Sequence, residues 1–248
     1  MTAARPDAGY FDQWYADMAA SPARDAIIAR ALRLPPELAG VLPEPAVTEL
    51  TSELRLPRDG LLLDVACGRG GYGIEVAHHT GTRLVGVDFS AVALELATAL
   101  GTRRLPAGRA EFRLGTLVAT GLPAGAADGL MCVDAVQFAD PPLAALAEFR
   151  RLLAPGGRLA LTCWEAADGQ APPRIQAVDL RRDLPAAGFL DVRVHERPDW
   201  REAERRVWQE AVAADGSDPA VRSLQDEGRR SLDTFASLRR VFATATAP

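Results

Sequence analysis

Short apolar runs alternate with helix-like stretches between residues 61 and 165, and this alternation constrains the fold more than any other feature of the chain. Such runs are typical of strands that are buried on both faces of a parallel sheet. The runs are Leu61–Ala66, Leu84–Asp88, Ala110–Leu114, Gly129–Asp134 and Arg158–Trp164. Because neighbouring parallel strands need long crossovers, the stretches between them are predicted to be helices.

The predicted helices begin at recognisable signals. The first follows a Gly-rich turn, at Gly71–His79. Ser90 is expected to cap the second, Ala91–Leu100, because a serine hydroxyl can accept a bond from a free backbone N–H of the first turn. Asp140 is expected to cap a third helix, through Leu143–Leu153.

The pattern changes after residue 165. Ile175–Ala187 is predicted to be helical, Leu190–His195 alternates like a strand, residues 198–239 are charged and helical, and Val241–Ala247 is a last β-branched run. The predicted fold is α/β, a Rossmann-like doubly wound sheet that is mostly parallel with an antiparallel last strand. An N-terminal helical cap and a helical insertion complete it.

The simplest division is one domain over residues 1–248. It comprises an N-terminal cap (1–50), a Rossmann-like core (51–196 and 240–248) and a helical insertion (198–239). Trp200 and Trp208 of the insertion are expected at a wall of the substrate site or at a dimer contact. Arg197, Arg201, Arg205 and Arg206 are expected to form a solvated face that is paired with Glu202 and Glu204.

Composition excludes several function classes. The 248 residues carry a formal charge of −5 and contain no basic block, so a nucleic-acid partner is not expected. No apolar run reaches the roughly 18 residues that span a bilayer, and no signal-peptide core opens the chain, so a cytoplasmic protein without a membrane partner is predicted. The sequence contains no lysine, which excludes Schiff-base chemistry on a lysine and the P-loop. A homodimer stays open.

The three cysteines lie in apolar segments without the spacing of metal ligands or disulfides. Cys67, Cys132 and Cys163 are therefore expected to be buried thiols, and no metal is predicted.

A Gly-rich turn, Asp64–Gly73, connects the first predicted strand to the helix after it. Glycines allow a ligand to approach the backbone, and the helix N-terminus presents free N–H groups to it. Asp88 ends the second strand, where a carboxylate can accept ribose hydroxyls. A tight turn that only needs small residues, and an Asp88 that only caps the next helix, are the structural alternatives.

Gly68, Gly70 and Gly73 also satisfy the dinucleotide fingerprint. Three features oppose a nicotinamide enzyme: the acid Asp64 at the strand end, the missing lysine of many dehydrogenases, and the missing second half of a dinucleotide fold.

The acid followed by Gly-x-Gly at Asp64–Gly70, together with Leu153–Gly157 before the fifth strand, resembles the class I S-adenosylmethionine-dependent methyltransferases. Ala66 stands where that family has its first glycine. The resemblance implies S-adenosylmethionine as cofactor and S-adenosylhomocysteine as product. The implied cofactor-binding residues are Asp64, Ala66, Cys67, Gly68, Gly70, Asp88, Phe89, Thr116, Leu117 and Asp134. Thr116 stands near where the family often has an acid for adenine.

Catalytic and substrate residues are less constrained. Asp134 and His195 are the candidate bases, and Gln137 follows the fourth strand at the expected ligand edge. The aromatic side chains of an N-terminal helix could form a lid over a small-molecule substrate: Tyr10, Phe11, Trp14 and Tyr15.

The predicted function is methyl transfer to a small-molecule acceptor, with secondary metabolism suggested by composition alone. The alternatives are a methyltransferase-like cyclase or isomerase that binds S-adenosylmethionine without transferring methyl, and a nicotinamide-dependent reductase. The acceptor and the methylated atom stay open.

Overall fold

A computed structural model describes residues 8–32, 38 and 40–248. Its helices are α1 (Ala8–Ala19), α2 (Pro22–Leu32), α3 (Glu44–Leu54), α4 (Gly71–Thr80), α5 (Ala91–Arg104), α6 (Pro142–Leu152), α7 (Pro173–Gln176), α8 (Leu180–Ala186), α9 (Pro198–Ala213) and α10 (Pro219–Thr234). Its strands are β1 (Leu61–Val65), β2 (Arg83–Asp88), β3 (Ala110–Leu114), β4 (Ala127–Val133), β5 (Leu153–Ala166), β6 (Leu190–Glu196) and β7 (Leu238–Thr246).

The seven strands form one sheet in the order β3-β2-β1-β4-β5-β7-β6. Strands β1 to β5 are parallel, and β7 runs antiparallel to both of its neighbours. The predicted fold class is therefore confirmed. The order reverses between β1 and β4, and the carboxyl ends of these strands are where open α/β sheets bind ligands.

The predicted start of α6 is wrong. The helix begins at Pro142 and its N-cap residue is Pro141, which provides no side-chain hydrogen bond. Asp140 lies one residue too early to cap it. The neighbouring prediction is correct, since the Ser90 hydroxyl oxygen accepts a bond from the Ala93 backbone N–H, 3.1 Å away, at the start of α5.

The single helix predicted at Ile175–Ala187 is two helices. Helix α7 ends at Gln176, and a carboxylate oxygen of Asp179 accepts a hydrogen bond from the Arg182 N–H to begin α8. An aspartate at this position favours a new N-terminus over helix continuation, because its side chain competes for the backbone N–H groups.

Helices cover both faces of the sheet. Buried side chains of α6 and α8, among them Phe149 and Leu184, pack on one face. Buried side chains of α3 and α4, among them Leu50 and Ile74, pack on the other. Helix α3 crosses the predicted boundary at residue 50, and the division into cap, core and insertion stays a prediction.

The insertion formed by α9 and α10 packs against α2, with Val207 and Leu224 in the shared core. Trp208 belongs to this shared core, whereas Trp200 packs against Phe242 of β7. They are 5% and 1% exposed, so neither ring offers a surface for a dimer contact. No helix within residues 8–32 and 40–248 is long and apolar enough to cross a membrane.

Candidate functional site

The Gly-rich turn leaves β1 at the switch point and returns into α4. Cys67 N–H donates to the Val87 carbonyl at 3.0 Å, which ties the turn to β2, and Gly70 N–H donates to the Cys67 carbonyl at 2.9 Å. Gly68 and Gly70 have φ of 52° and 76°. These left-handed conformations are low in energy only for glycine, so the glycines shape the turn.

Ala66 opens this turn with φ at 61°, in the same left-handed region. An alanine there carries a steric cost of about 1–2 kcal/mol that glycine avoids. Ala66, which stands where the resembled family has glycine, therefore leaves strain in the turn.

We predict that Ala66→Gly stabilises the protein by about 0.5–1 kcal/mol, because relief of the left-handed strain exceeds the extra entropy of glycine in the unfolded chain. Urea unfolding measures the change. Ala99→Gly on the exposed face of α5 is the matched control and should cost about 1 kcal/mol. A loss of stability in Ala66→Gly would contradict the strain.

Asp64 lies at the end of β1 and is 3% exposed. Burial and, to a lesser extent, nearby Asp88 together raise the pKa of its carboxyl to about 7, and a bond from the Gly73 N–H opposes the rise. A Cβ on Gly73 would lie 2.5 Å from the nearer Asp64 carboxylate oxygen, so only glycine fits there. This carboxylate has no cationic partner among the described residues.

Asp88 ends β2, and its carboxylate binds the Gly-rich turn. Oδ2 accepts a hydrogen bond from the Gly68 N–H at 2.8 Å, and Oδ1 accepts one from the Ser90 N–H at 2.9 Å. Burial raises its pKa. Each oxygen keeps a second lone pair, so this bonding to the backbone is compatible with binding of ribose hydroxyls.

The other sequence-predicted cofactor residues surround these acids. Phe89 follows Asp88, and its ring centroid lies 5.3 Å from that of Phe11. Thr116 is exposed after β3, and its hydroxyl oxygen accepts a bond from the Ala119 N–H at 3.1 Å. Leu117 packs on the core. The Thr116 hydroxyl is thus partly engaged within its own turn.

Asp134 follows β4 with φ at 56°, a strained conformation for a residue other than glycine. Its carboxylate accepts bonds from Arg240 Nη2 at 2.6 Å and from Thr162 Oγ1 at 2.8 Å. The guanidinium of Arg240 is fully buried and also donates to Glu204 of α9. Burial raises the pKa of Glu204, and Arg240 opposes that rise.

The aromatic side chains of α1 lie over the Gly-rich turn and the ends of β2 and β4. The Phe11 ring centroid is 6.3 Å from that of Phe138, in the 3-10 turn after β4. The Tyr15 hydroxyl is 2.7 Å from where a Cβ on Gly68 would stand. The Arg24 guanidinium carbon lies 5.2 Å from the centroid of the Trp14 ring. Tyr10 is the most exposed of the four aromatic side chains.

Two polar contacts hold this N-terminal region in place. Asp12 Oδ1 accepts a bond from the Ser90 hydroxyl at 2.5 Å, at the start of α5. Arg69 of the Gly-rich turn makes a two-pronged ion pair with Asp25 of α2, with N–O distances of 2.9 and 3.0 Å. The caps are therefore bonded to the same turn that the cofactor prediction uses.

The comparison with known families distinguishes between the two cofactors that the sequence left open. A family model for a methyltransferase domain matches residues 63–161, from β1 into β5. Residues 63–161 therefore carry a methyltransferase domain, and the relatives support the class I S-adenosylmethionine-dependent family. S-adenosylmethionine is the cofactor of this family, so the nicotinamide alternative loses its support.

Two curated relatives of this chain are methyltransferases of low sequence identity. O-methyltransferase resE of Aspergillus sclerotiorum is 26% identical over 59% of this chain and 62% of its own length. Nocamycin O-methyltransferase of Saccharothrix syringae is 37% identical over 47% of this chain and 40% of its own length. The chain thus spans less than two thirds of either relative.

A solved structure shares the fold of this chain. The crystal structure of the [4+2]-cyclase SpnF superposes with a TM-score of 0.69 at 22% identity, covering 82% of this chain and 79% of that one. At this identity the likeness establishes the fold alone.

The structure does not bring His195 to the methyltransferase site. It is exposed on β6, the edge strand, with β5 and β7 between it and β4. An alternating strand pattern places a residue on a strand but not in the sheet order. His195 is therefore not a candidate base, because it is exposed to solvent on the edge strand β6.

Sequence reasoning missed the partners of Asp134. Arg240 and Glu204 are far apart in sequence, and Glu204 was expected on a solvated face. That expectation is wrong for Glu204, which is 4% exposed, and correct for Glu202, which pairs with exposed Arg205. Trp200, Glu204 and Trp208 are spaced four residues apart and so share one face of α9. This spacing could have indicated that Glu204 is buried.

Proposed function

We propose that this chain transfers a methyl group from S-adenosylmethionine to a small-molecule acceptor. The observation that carries the proposal is the convergence of two buried carboxylates, Asp64 and Asp88, on a left-handed Gly turn at the switch point of a matched methyltransferase domain. In this proposal Asp64 binds the methionine ammonium and Asp88 binds the ribose hydroxyls.

Other residues have supporting roles in the proposal. Phe89 lies against one side of the adenine, and Thr116 and Leu117 lie against its other side. The backbone of the turn lines the methionine and ribose, through Ala66, Cys67, Gly68 and Gly70. Asp134 lies at the border between cofactor and acceptor, and Phe11, Tyr15, Trp14 and Tyr10 close the site as a lid.

Methyl transfer requires an in-line approach. A bond forms from the acceptor atom to the methyl carbon while the carbon–sulfur bond breaks. The electron pair of that bond neutralises the sulfonium, and the acceptor's proton leaves to water. Most of the catalysis can come from holding the acceptor close to the methyl group, because orientation alone removes a large part of the barrier.

The acceptor of this chain is proposed to be a secondary metabolite. O-methyltransferase resE and nocamycin O-methyltransferase, named above, support an oxygen acceptor on a small molecule. A cytoplasmic location, the lack of a nucleic-acid partner and a homodimer remain predictions of the sequence.

We predict that cofactor binding strengthens with pH through the titration of Asp64. The ammonium of the cofactor needs an ionised carboxylate, and burial raises the pKa of Asp64 to about 7. Affinity for S-adenosylhomocysteine should rise about fivefold from about pH 6 to 7.5, below the range in which α-amino groups near pKa 7.7 are mostly neutral. Calorimetry across this range measures the rise.

Asp64→Asn is the control for this pH dependence. It should bind the cofactor weakly and with a flat profile, since the amide does not titrate. An unchanged fivefold rise in Asp64→Asn would assign the titration to another group.

A second candidate is a cyclase or isomerase on the same fold. The specific observation in its favour is that the Asp134 carboxylate is occupied by Arg240 and Thr162, which leaves it poorly placed as a general base. The fold shared with the cyclase SpnF shows that such chemistry occurs on this scaffold.

Product analysis separates the two functions. The protein is incubated with methyl-labelled S-adenosylmethionine and a panel of hydroxylated aromatic compounds. One labelled product per S-adenosylhomocysteine supports methyl transfer. A rearranged product without label, and no S-adenosylhomocysteine, supports the second candidate.

A further inference from the structure

Gln137 is a buried amide with one group left unpaired. It lies in the 3-10 turn after β4 and is 5% exposed. Its Nε2 donates to the Asp134 carbonyl at 2.6 Å, and its buried Oε1 has no hydrogen-bond partner among the residues that the structure describes. An unpaired buried acceptor costs about 1–3 kcal/mol, so a bound donor would recover that free energy.

The ionic groups nearest to Gln137 are already bonded to one another. Asp134, whose carbonyl binds the Gln137 amide, has its carboxylate on Arg240, and Arg240 is shared with Glu204. One cation therefore faces two carboxylates in the buried network. Within this network of described residues no positive charge is left over to pair with an acceptor.

Aromatic rings stand next to Gln137. Phe138 is the following residue, and its ring centroid lies 6.3 Å from that of Phe11 of α1 and 5.3 Å from the Arg174 guanidinium. Phe138 is 39% exposed, which leaves part of its face available. Flat aromatic molecules bind well against such rings.

We propose that the acceptor is an aromatic molecule whose hydroxyl donates a hydrogen bond to Gln137 Oε1, which makes Gln137 a specificity-determining residue. This inference rests on the proposed methyl transfer and names its acceptor class. A hydroxyl that donates to Oε1 keeps its own lone pairs free to face the cofactor.

Equilibrium dialysis with three probes tests this assignment. The probes are 2-naphthol, naphthalene and 2-naphthoate, each measured with S-adenosylhomocysteine present. The wild-type protein should bind 2-naphthol about tenfold more tightly than naphthalene, as one hydrogen bond of about 1.4 kcal/mol requires. It should bind 2-naphthoate more weakly than 2-naphthol.

Variants identify the residue. Gln137→Leu should lose the tenfold preference for 2-naphthol and keep its affinity for naphthalene. Gln209→Leu, on the exposed face of α9, is the matched control and should keep the preference.

Three outcomes would overturn the assignment: equal binding of 2-naphthol and naphthalene, a preference that survives in Gln137→Leu, or binding of none of the probes. Binding of S-adenosylhomocysteine is measured separately for the wild-type protein and both variants. If the wild-type protein does not bind it, the proposed function is contradicted. If the wild-type protein binds it but does not prefer 2-naphthol, only the role of Gln137 is contradicted.

Discussion

Asp88→Ala is expected to weaken binding of S-adenosylhomocysteine by at least about 100-fold. The variant removes a carboxylate that would make charge-assisted bonds to the ribose, and about 2.7 kcal/mol corresponds to this factor. It also leaves the Gly68 and Ser90 N–H groups without their acceptor, which loosens the turn. Calorimetric titration measures the affinity.

Asp128→Ala is the matched control for this variant. Asp128 also accepts a backbone N–H bond, from Leu61 at 2.8 Å, but it lies at the amino ends of the strands, away from the Gly-rich turn. Both variants should lose stability, and only Asp88→Ala should lose cofactor affinity. Equal affinity in Asp88→Ala and wild type would remove the ribose role and leave Asp88 as a structural cap.

Arg240→Met is expected to lower the free energy of unfolding by about 3–5 kcal/mol. The substitution removes the only cation bonded to the buried Glu204 carboxylate among the described residues, and it also leaves Asp134 without its ion pair. Uncompensated buried charge is costly, whereas the shape of methionine fills most of the space. Urea unfolding at pH 8 measures the change.

The loss should shrink at lower pH, because the carboxyl groups can then take up protons. Burial already raises the pKa of Glu204 in the wild-type protein, and without Arg240 it rises further, so the folded variant binds more protons than the unfolded chain. Its stability therefore increases as the pH falls from 8 to 5.5.

Arg205→Met is the surface control for Arg240→Met. It removes an exposed ion pair with Glu202 and should change stability by less than about 1 kcal/mol. A loss in Arg240→Met no larger than this, or one independent of pH, would contradict a buried charge network.

The cofactor half of the site could be predicted because its determinants are local. The turn from Asp64 to Gly73 is continuous in sequence, and Asp88 ends the adjacent strand. Glycine spacing and strand ends fix the backbone there, since parallel strands bring their carboxyl ends to one edge. Strands β1 to β4 lie within two residues of their predicted bounds, whereas β5 begins at Leu153, five residues before the predicted Arg158.

The acceptor half depends on contacts between distant segments. Arg240 lies on β7 and Glu204 on α9, and they meet Asp134 only once β7 inserts between β5 and β6. A charge pattern in sequence does not distinguish a buried pair from a solvated one. His195 shows the same limit of sequence patterns. Its strand was predicted correctly, but the sequence does not reveal that this strand lies at the edge of the sheet.

Calorimetric titration of the wild-type protein tests the central claim most directly. The ligands are S-adenosylmethionine, S-adenosylhomocysteine and, as control, the reduced nicotinamide cofactor. We expect micromolar binding of the first two at one site per chain and no binding of the third. Absence of binding for both sulfur ligands, or binding of the nicotinamide cofactor alone, would contradict a methyltransferase site at the Gly-rich turn.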